Sequence, residues 1–366
     1  MDRERAAWVA LALTPGIGPS RLHALVQACH SPLGALSAPF EFLRTIPGLT
    51  TAAATALGGA TLAQGEEILE RAERLGGQVL VPDDPTYPES FRTIAEPPAA
   101  LFLLGRTDLL ERPAVAVVGS RDHTPYGADV ARSVAWQAAA AGVVVVSGMA
   151  RGLDAVAHQA ALDAGGSSIG VLGNGLGVIY PSANRRLYTA MADRGLLLTE
   201  FPPGERPHAG SFPRRNRLIS ALARVTVVVE AAVGSGALIT ADAALEQGRE
   251  VMAVPGPITS PQSAGTNRLI RDGAAPLLEP EELLAHYRDV QPLSSPAAEP
   301  PAFAPLPDSL ADPEYAIAML LDADGASADE LHLRSGRPAG QVMAALSALE
   351  VLGLVERRAG GRYRRV

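Results

Sequence analysis

Between Val79 and His286 the chain repeats one unit: a short apolar run, a glycine- or serine-rich loop, then a helix-compatible stretch. The runs at Ala114–Val118, Val143–Val146, Ser168–Leu172, Leu196–Thr199, Val225–Glu230 and Glu250–Val254 read as strands. Helices are expected between them at Ala128–Ala141, Asp154–Ala164, Ala183–Asp193, Arg214–Ala223 and Ala237–Gln247. The strands are nearly continuous in Val, Leu and Ile, which suits burial on both faces of a parallel sheet. Alternation of this kind predicts an α/β fold with a doubly wound, mostly parallel sheet. In such sheets ligands bind beyond the carboxyl ends of the strands, so those loops are where function is sought.

The flanks differ in texture. Residues 1–78 read as short helices punctuated by Gly and Pro. Within them "TPGIGPSRLHALV" and "TIPGLTTAAATAL" repeat an apolar–Gly turn ahead of a helix. That is either half of a helix-hairpin-helix, whose glycine N–H groups approach a DNA phosphate, or an ordinary tight turn. Residues 289–312 form a Pro/Ala/Ser-rich linker without periodicity. Residues 313–366 read as three helices and two short strands around Gly360-Gly361, the order of a winged helix. The wing carries Arg357, Arg358, Arg362, Arg364 and Arg365 against Glu356; it could serve DNA or a protein partner.

The net charge of -8 argues against indiscriminate coating of nucleic acid, though a local basic patch can coexist with it. The chain has no lysine, so all 31 basic residues are arginine. A P-loop lysine, a Schiff-base lysine and a lysine general base are thereby excluded, and phosphate must be met by arginine and backbone N–H groups. The single cysteine, Cys29, excludes an internal disulfide framework and fits a reducing compartment. With no secretory signal pattern and no apolar run near 20 residues, a cytoplasmic protein without membrane contact is expected. No GxSxG or HExxH is present, and no metal cluster is evident among the seven histidines. No metal or other cofactor and no enzymatic activity are expected; Glu200 and Glu230 are the only acid/base candidates.

The strand-end loops gather glycines, serines and arginines. Gly119, Ser120 and Arg121 follow the first parallel strand, and Gly148 and Arg151 follow the second. Ser235 and Gly236 belong to a Gly-Ser-Gly turn that can form an N–H nest at a helix start. The stretch "SFPRRNRLISAL" places Phe212 beside Arg214, Arg215, Asn216 and Arg217. With a helix starting at Arg214, these arginines face an already positive dipole end and need a compensating anion or carboxylate. Either they hold a nucleic-acid backbone, with a base stacked on Phe212, or Asn216 and Arg217 pair internally with Glu200 or Asp242.

The segments "VAVVGSRDHTPYG", "VVVSGMARGLDAVAHQAAL", "GVLGNGLGVIYPSANRRLY", "TEFPPGERPHAGSFPRRNRLISALA", "VTVVVEAAVGSGALITADAALEQGREVMAVPGPI" and "GTNRLIRDGA" resemble, in order, the blocks of the DNA-processing protein A family (DprA, also called Smf). The resemblance implies a Rossmann-like domain over 79–288. It also implies a SAM-like or helix-hairpin-helix-like helical domain over 1–78 and a winged-helix domain over 313–366. It further implies a non-enzymatic, sequence-independent single-stranded DNA-binding protein of natural transformation. Such a protein protects incoming DNA, dimerises through the Rossmann-like domain and loads the RecA recombinase while SSB is present. By the same resemblance Gly119, Ser120, Arg121, Phe212, Arg215, Asn216, Arg217, Ser235 and Gly236 line the DNA pocket.

One position departs from the pattern. Some members carry a lysine three residues before the motif phenylalanine, where this chain has Ala209; Arg206, Arg214 and protonated His208 are the candidate replacements. The competing reading is a related Rossmann-like hydrolase of nucleoside monophosphates. Those proteins carry a Pro-Gly-Gly-x-Gly-Thr loop and a nearby Glu, whereas this chain has Gly234-Ser235-Gly236-Ala237.

Overall fold

The computed structural model describes residues 2–290, 306, 310–321, 326–357 and 361–365. The chain divides into two compact units, Met1–Pro296 and Ala297–Val366. The first unit opens with six helices: α1 (Arg3–Ala12), α2 (Pro19–Cys29), α3 (Pro32–Ser37), α4 (Phe40–Leu43), α5 (Thr51–Leu57) and α6 (Leu62–Arg74). Asp2, Ser31, Thr50 and Thr61 cap four of them, each side chain accepting from first-turn N–H groups that a helix end otherwise leaves without partners.

Nine strands then build one sheet: β1 (Gln78–Leu80), β2 (Leu101–Gly105), β3 (Ala114–Val118), β4 (Val144–Ser147), β5 (Ser168–Val171), β6 (Leu196–Thr199), β7 (Val225–Val228), β8 (Glu250–Ala253) and β9 (Ala275–Pro276). Their spatial order is β1-β2-β6-β5-β4-β3-β7-β8-β9. All pairs from β6 across to β9 are parallel, while β2 runs antiparallel to β1 and β6. The doubly wound, mostly parallel sheet is therefore present, extended by an antiparallel edge. Helices α7 (Glu89–Arg92), α8 (Pro125–Ala140), α9 (Leu153–Asp163), α10 (Arg185–Arg194), α11 (Ser211–Leu222), α12 (Gly236–Glu246) and α13 (Ala264–Arg271) fill the connections.

Two apolar layers flank the sheet. On one side Leu218 and Ile219 of α11 and Ala237, Ala241 and Ala244 of α12 pack with Ala116, Val146, Ile169 and Leu198. On the other, Trp8, Leu22, Leu57 and Ala72 from the N-terminal helices share a core with Phe102, Leu172, Leu176 and Leu197. The Trp8 indole N–H also donates to the Ala99 carbonyl at 2.6 Å. The N-terminal helices thus cover one face of the sheet within the same compact unit.

From β3 the chain steps outward through β4, β5 and β6, then returns through α11 to place β7 on the opposite flank of β3. Strand order reverses between β3 and β7, so a crevice opens beyond their carboxyl ends. The return helix α11 begins at Ser211, three residues before the expected start. Pro213 falls in its first turn, where a missing N–H costs nothing. The arginine cluster consequently sits past the first turn, beyond the strongest reach of the helix dipole.

The second unit contains α14 (Glu314–Met319), β10 (Ala326–Ser327), α15 (Ala328–Ser335), α16 (Ala339–Val351), β11 (Val355–Arg357) and β12 (Arg362–Arg365). Its sheet has the order β10-β12-β11, and Ile317, Leu331, Leu346, Leu349 and Tyr363 form its core. This is a winged helix with one more strand than the two expected. Arg362 pairs with Glu330 at 3.2 Å and Arg364 with Glu356 at 3.9 Å; Arg358 lies outside the described residues. Among the described residues no helix is long and apolar enough to cross a membrane.

Candidate nucleic-acid interface

The crevice at the strand-order reversal is a cleft of about 680 Å³. Gly119, Ser120 and Arg121 after β3 form one wall, and the loop through Ser235 and Gly236 after β7 forms the other; Phe212 and Asn216 of α11 also reach it. A second chamber of about 330 Å³ lies beside it, lined by Gly148 and Arg151 after β4, Gly173 after β5, and Tyr180. Arg121, Phe212 and Arg215 border both spaces. The structure thus brings Gly119, Ser120, Arg121, Gly148, Arg151, Phe212, Arg215, Asn216, Ser235 and Gly236 to one composite site.

Phe212 and Arg121 make the ridge between the two spaces. The Arg121 guanidinium carbon lies 5.4 Å from the Phe212 ring centroid, a cation–π contact. The Tyr180 ring is 5.6 Å from the same ring and tilted by 36°. Gly173 permits this packing, because a Cβ there would stand 2.8 Å from Phe212 Cδ1. Arg121 is exposed, and among the described residues no carboxylate pairs with it. Its charge is therefore available to an anion.

The arginines of α11 have different duties. Arg217 forms a two-pronged pair with the buried carboxylate of Glu200, at 2.8 and 2.9 Å, and Arg214 adds a contact at 2.9 Å. Of the two internal partners considered from sequence for Asn216 and Arg217, Arg217 takes Glu200 and Asn216 takes neither. Asn216 donates to the Gly236 carbonyl at 3.0 Å and accepts from Arg215 Nε at 3.2 Å, which fixes the start of α12 against α11.

Arg215 is buried and donates to the carbonyls of Gly148 and Val171. A Cβ at residue 148 would meet its guanidinium at 2.6 Å, so a glycine is required there. Burial lowers the Arg215 pKa to about 10, offset in part by the charge of Asp154. Burial likewise pushes the Asp154 carboxyl up, and Arg215 partly offsets that.

The loop after β4 is held by side chains on every side. Asp154 accepts from the N–H groups of Gly148 and Ala150 at 3.1 and 3.4 Å, and His158 Nε2 meets the N–H of Met149 at 3.4 Å. Asn184 donates to the carbonyls of Met149 and Ala150 at 3.0 and 3.1 Å. Met149 is locked in the left-handed region at φ 55°. These amides are taken, so Gly148 supplies a flat wall to the chamber rather than a donor. Arg151 pairs with Asp122 at 2.9 Å, and both are exposed.

On the β7 side, Ser235 caps α12 by accepting from the Ala237 N–H at 3.3 Å. The Ser120 hydroxyl lies 2.9 Å from the Asp122 carbonyl and 3.2 Å from Gln262 Oε1, and its one hydrogen serves either acceptor. Glu230, the other acid/base candidate, accepts from the N–H and hydroxyl of Thr124, the cap of α8. Glu200 and Glu230 are thus both held by structural partners. Ala209 does line the cleft; of its candidate replacements, Arg214 is tied to Glu200, and the exposed His208 lies 3.9 Å from Glu205.

Sequence reasoning did not single out Tyr180, Asn184 or Gln262. Tyr180 had a usable signal, an aromatic beside proline in the loop after a predicted strand. Gln262 comes from a turn distant in sequence, and nothing local marks it.

Comparison with known proteins follows the same outline. Residues 78–288 match the family described as DNA recombination-mediator protein A, and residues 299–361 match the DprA winged helix domain. Protein Smf of Escherichia coli is 41% identical over 287 residues, covering 78% of this chain and 77% of that protein. The crystal structure of DNA processing protein A from Streptococcus pneumoniae superposes with a TM-score of 0.69 at 32% identity, covering 76% of this chain and 97% of that one. DNA processing protein A from Helicobacter pylori, solved for its single-stranded DNA binding mode, gives a TM-score of 0.54 at 31% identity, covering 58% and 98%. On fold, matched segments and identity together, the chain belongs to the DNA recombination-mediator protein A family, DprA/Smf.

Proposed function

We propose that this protein binds single-stranded DNA without sequence preference, protects it, and loads the RecA recombinase onto it during natural transformation. In this reading it works as a cytoplasmic homodimer joined through the Rossmann-like domain, with SSB as a further partner, and it catalyses no reaction. The observation that carries the DNA-binding part is the ridge at the strand-order reversal. There an exposed arginine, with no carboxylate partner among the described residues, lies against an aromatic ring, Arg121 on Phe212. Such a pair offers phosphate neutralisation and base stacking together, the combination used by proteins that hold single strands. Both contacts are indifferent to base identity. The single-stranded DNA bound by the Helicobacter pylori relative supports the same reading.

Glu200 and Glu230, the acid/base candidates of the hydrolase alternative, are both engaged by internal partners, and of the carboxylates lining the cleft Asp154 accepts from backbone N–H groups and Asp122 pairs with Arg151. The test is competition between a labelled thymidine oligonucleotide and unlabelled single- or double-stranded DNA, followed by fluorescence anisotropy. Displacement by single strands at much lower concentration than by duplex is expected. Preferential displacement by duplex would overturn the reading.

A further inference from the structure

We propose that the chamber beside the cleft, bounded by Tyr180, holds one unstacked nucleobase, while the main cleft receives the phosphates. The inference rests on the single-stranded DNA reading and specifies how the strand lies.

The two spaces differ in chemistry. The wall of the second chamber after β4 has no amide to give an anion, because Gly148, Met149 and Ala150 already donate to Asp154 and His158. Met149, Leu172, Pro181, Tyr180 and the flank of Phe212 give it apolar or aromatic surface, and the polar side chains deepest in it, Asn174 and Arg215, already donate to backbone carbonyls. A space of about 330 Å³ with flat glycine walls at 148 and 173 suits a planar ring better than a phosphate. Tyr180 is 47% exposed, so its ring already stands open to a stacking partner.

The rim supplies exposed charge, whereas the Arg215 guanidinium inside is already bonded to two carbonyls. Arg121 lies on the ridge shared by both spaces. The exposed Arg151–Asp122 pair, at 63% and 78% side-chain exposure, is held weakly enough for Arg151 to turn to a phosphate. A strand crossing the ridge would leave its backbone on Arg121 and drop the adjoining base onto Tyr180. A paired base cannot make that turn without leaving its stack, so the chamber also selects against duplex.

The test compares the full-length protein with Tyr180→Ala, Tyr180→Phe and Arg121→Ala, using a labelled thymidine oligomer. A stacked base predicts that Tyr180→Ala weakens binding about 5- to 150-fold, the range of aromatic stacking contributions. Tyr180→Phe, which keeps the ring, should bind like wild type. In a scan of single abasic substitutions along the oligomer, one position should weaken wild-type binding and have no further effect on Tyr180→Ala. Tyr180→Ala within twofold of wild type, beside a tenfold or greater loss in Arg121→Ala, would overturn the base chamber and leave the DNA reading standing. Should Tyr180→Ala melt early, the abasic scan on wild type decides, and a uniform profile overturns the proposal. Failure of wild type to bind the oligomer at all would sink both readings.

Discussion

At the scale of single residues, four arginines that look alike in sequence separate into two jobs. Arg121 is exposed and its guanidinium lies against the Phe212 ring, whereas Arg215 is buried and bonded to two carbonyls beside Asp154. Removing the Arg215 side chain takes away the positive charge that offsets burial of Asp154 and leaves the carbonyls of Gly148 and Val171 without their donor, at about 1–3 kcal/mol for each buried group left unpaired. Arg215→Ala should therefore lower the urea midpoint sharply, while Arg121→Ala should unfold like wild type; equal midpoints for both would contradict the assignment. Arg214 and Arg217 share Glu200. The sequence shows that a positive cluster at this helix needs an anion, and it names Glu200 among the internal choices. It cannot show which arginine turns inward, because that depends on Gly148 and Val171, 67 and 44 residues away.

At the scale of elements, the loop between β4 and α9 is shaped by its own following helix. Asp154 and His158, four residues apart on α9, both face back to hold it. Burial and then the Arg215 charge lower the His158 pKa from 6.5 to about 3. The native state thus favours the neutral ring. Its contribution is complete above pH 6.5 and is lost as pH falls toward 3, by at most about 1.4 kcal/mol per pH unit. Asp154, whose carboxyl burial raises, works in the opposite sense and is common to both proteins compared. His158→Gln should show a smaller drop in urea midpoint than wild type between pH 7.5 and 4.5; an identical drop would exclude His158 as the source.

Legibility varies among elements for physical reasons. The central strands, β3 and β6 among them, announce themselves by unbroken apolar runs, and the expected bounds match there. β2, "LFLLG", precedes the first strand–loop–helix repeat and pairs antiparallel at the margin of the sheet, so the repeat does not mark it. α11 starts three residues ahead of the expected Arg214, because Pro213, which looks like a break in sequence, is a first-turn residue.

At the scale of the whole molecule, the helices of residues 1–78 and the sheet share one core, joined through Trp8, Leu172 and Leu197. The composition change near residue 78 marks a change of texture within one compact unit. A chain lacking residues 1–77 should expose that apolar face and aggregate, whereas a chain ending at residue 296 should stay monodisperse by light scattering. The reverse outcome would contradict the shared core. The central claim is that single-stranded DNA lies across the Arg121–Phe212 ridge at the strand-order reversal. Its most direct test is the salt dependence of oligonucleotide binding by wild type and Arg121→Ala, read by anisotropy. The log–log slope should become shallower by about 0.7, one phosphate contact on a single strand, with affinity falling for every sequence alike. An unchanged slope and affinity in Arg121→Ala would place the DNA elsewhere on the molecule.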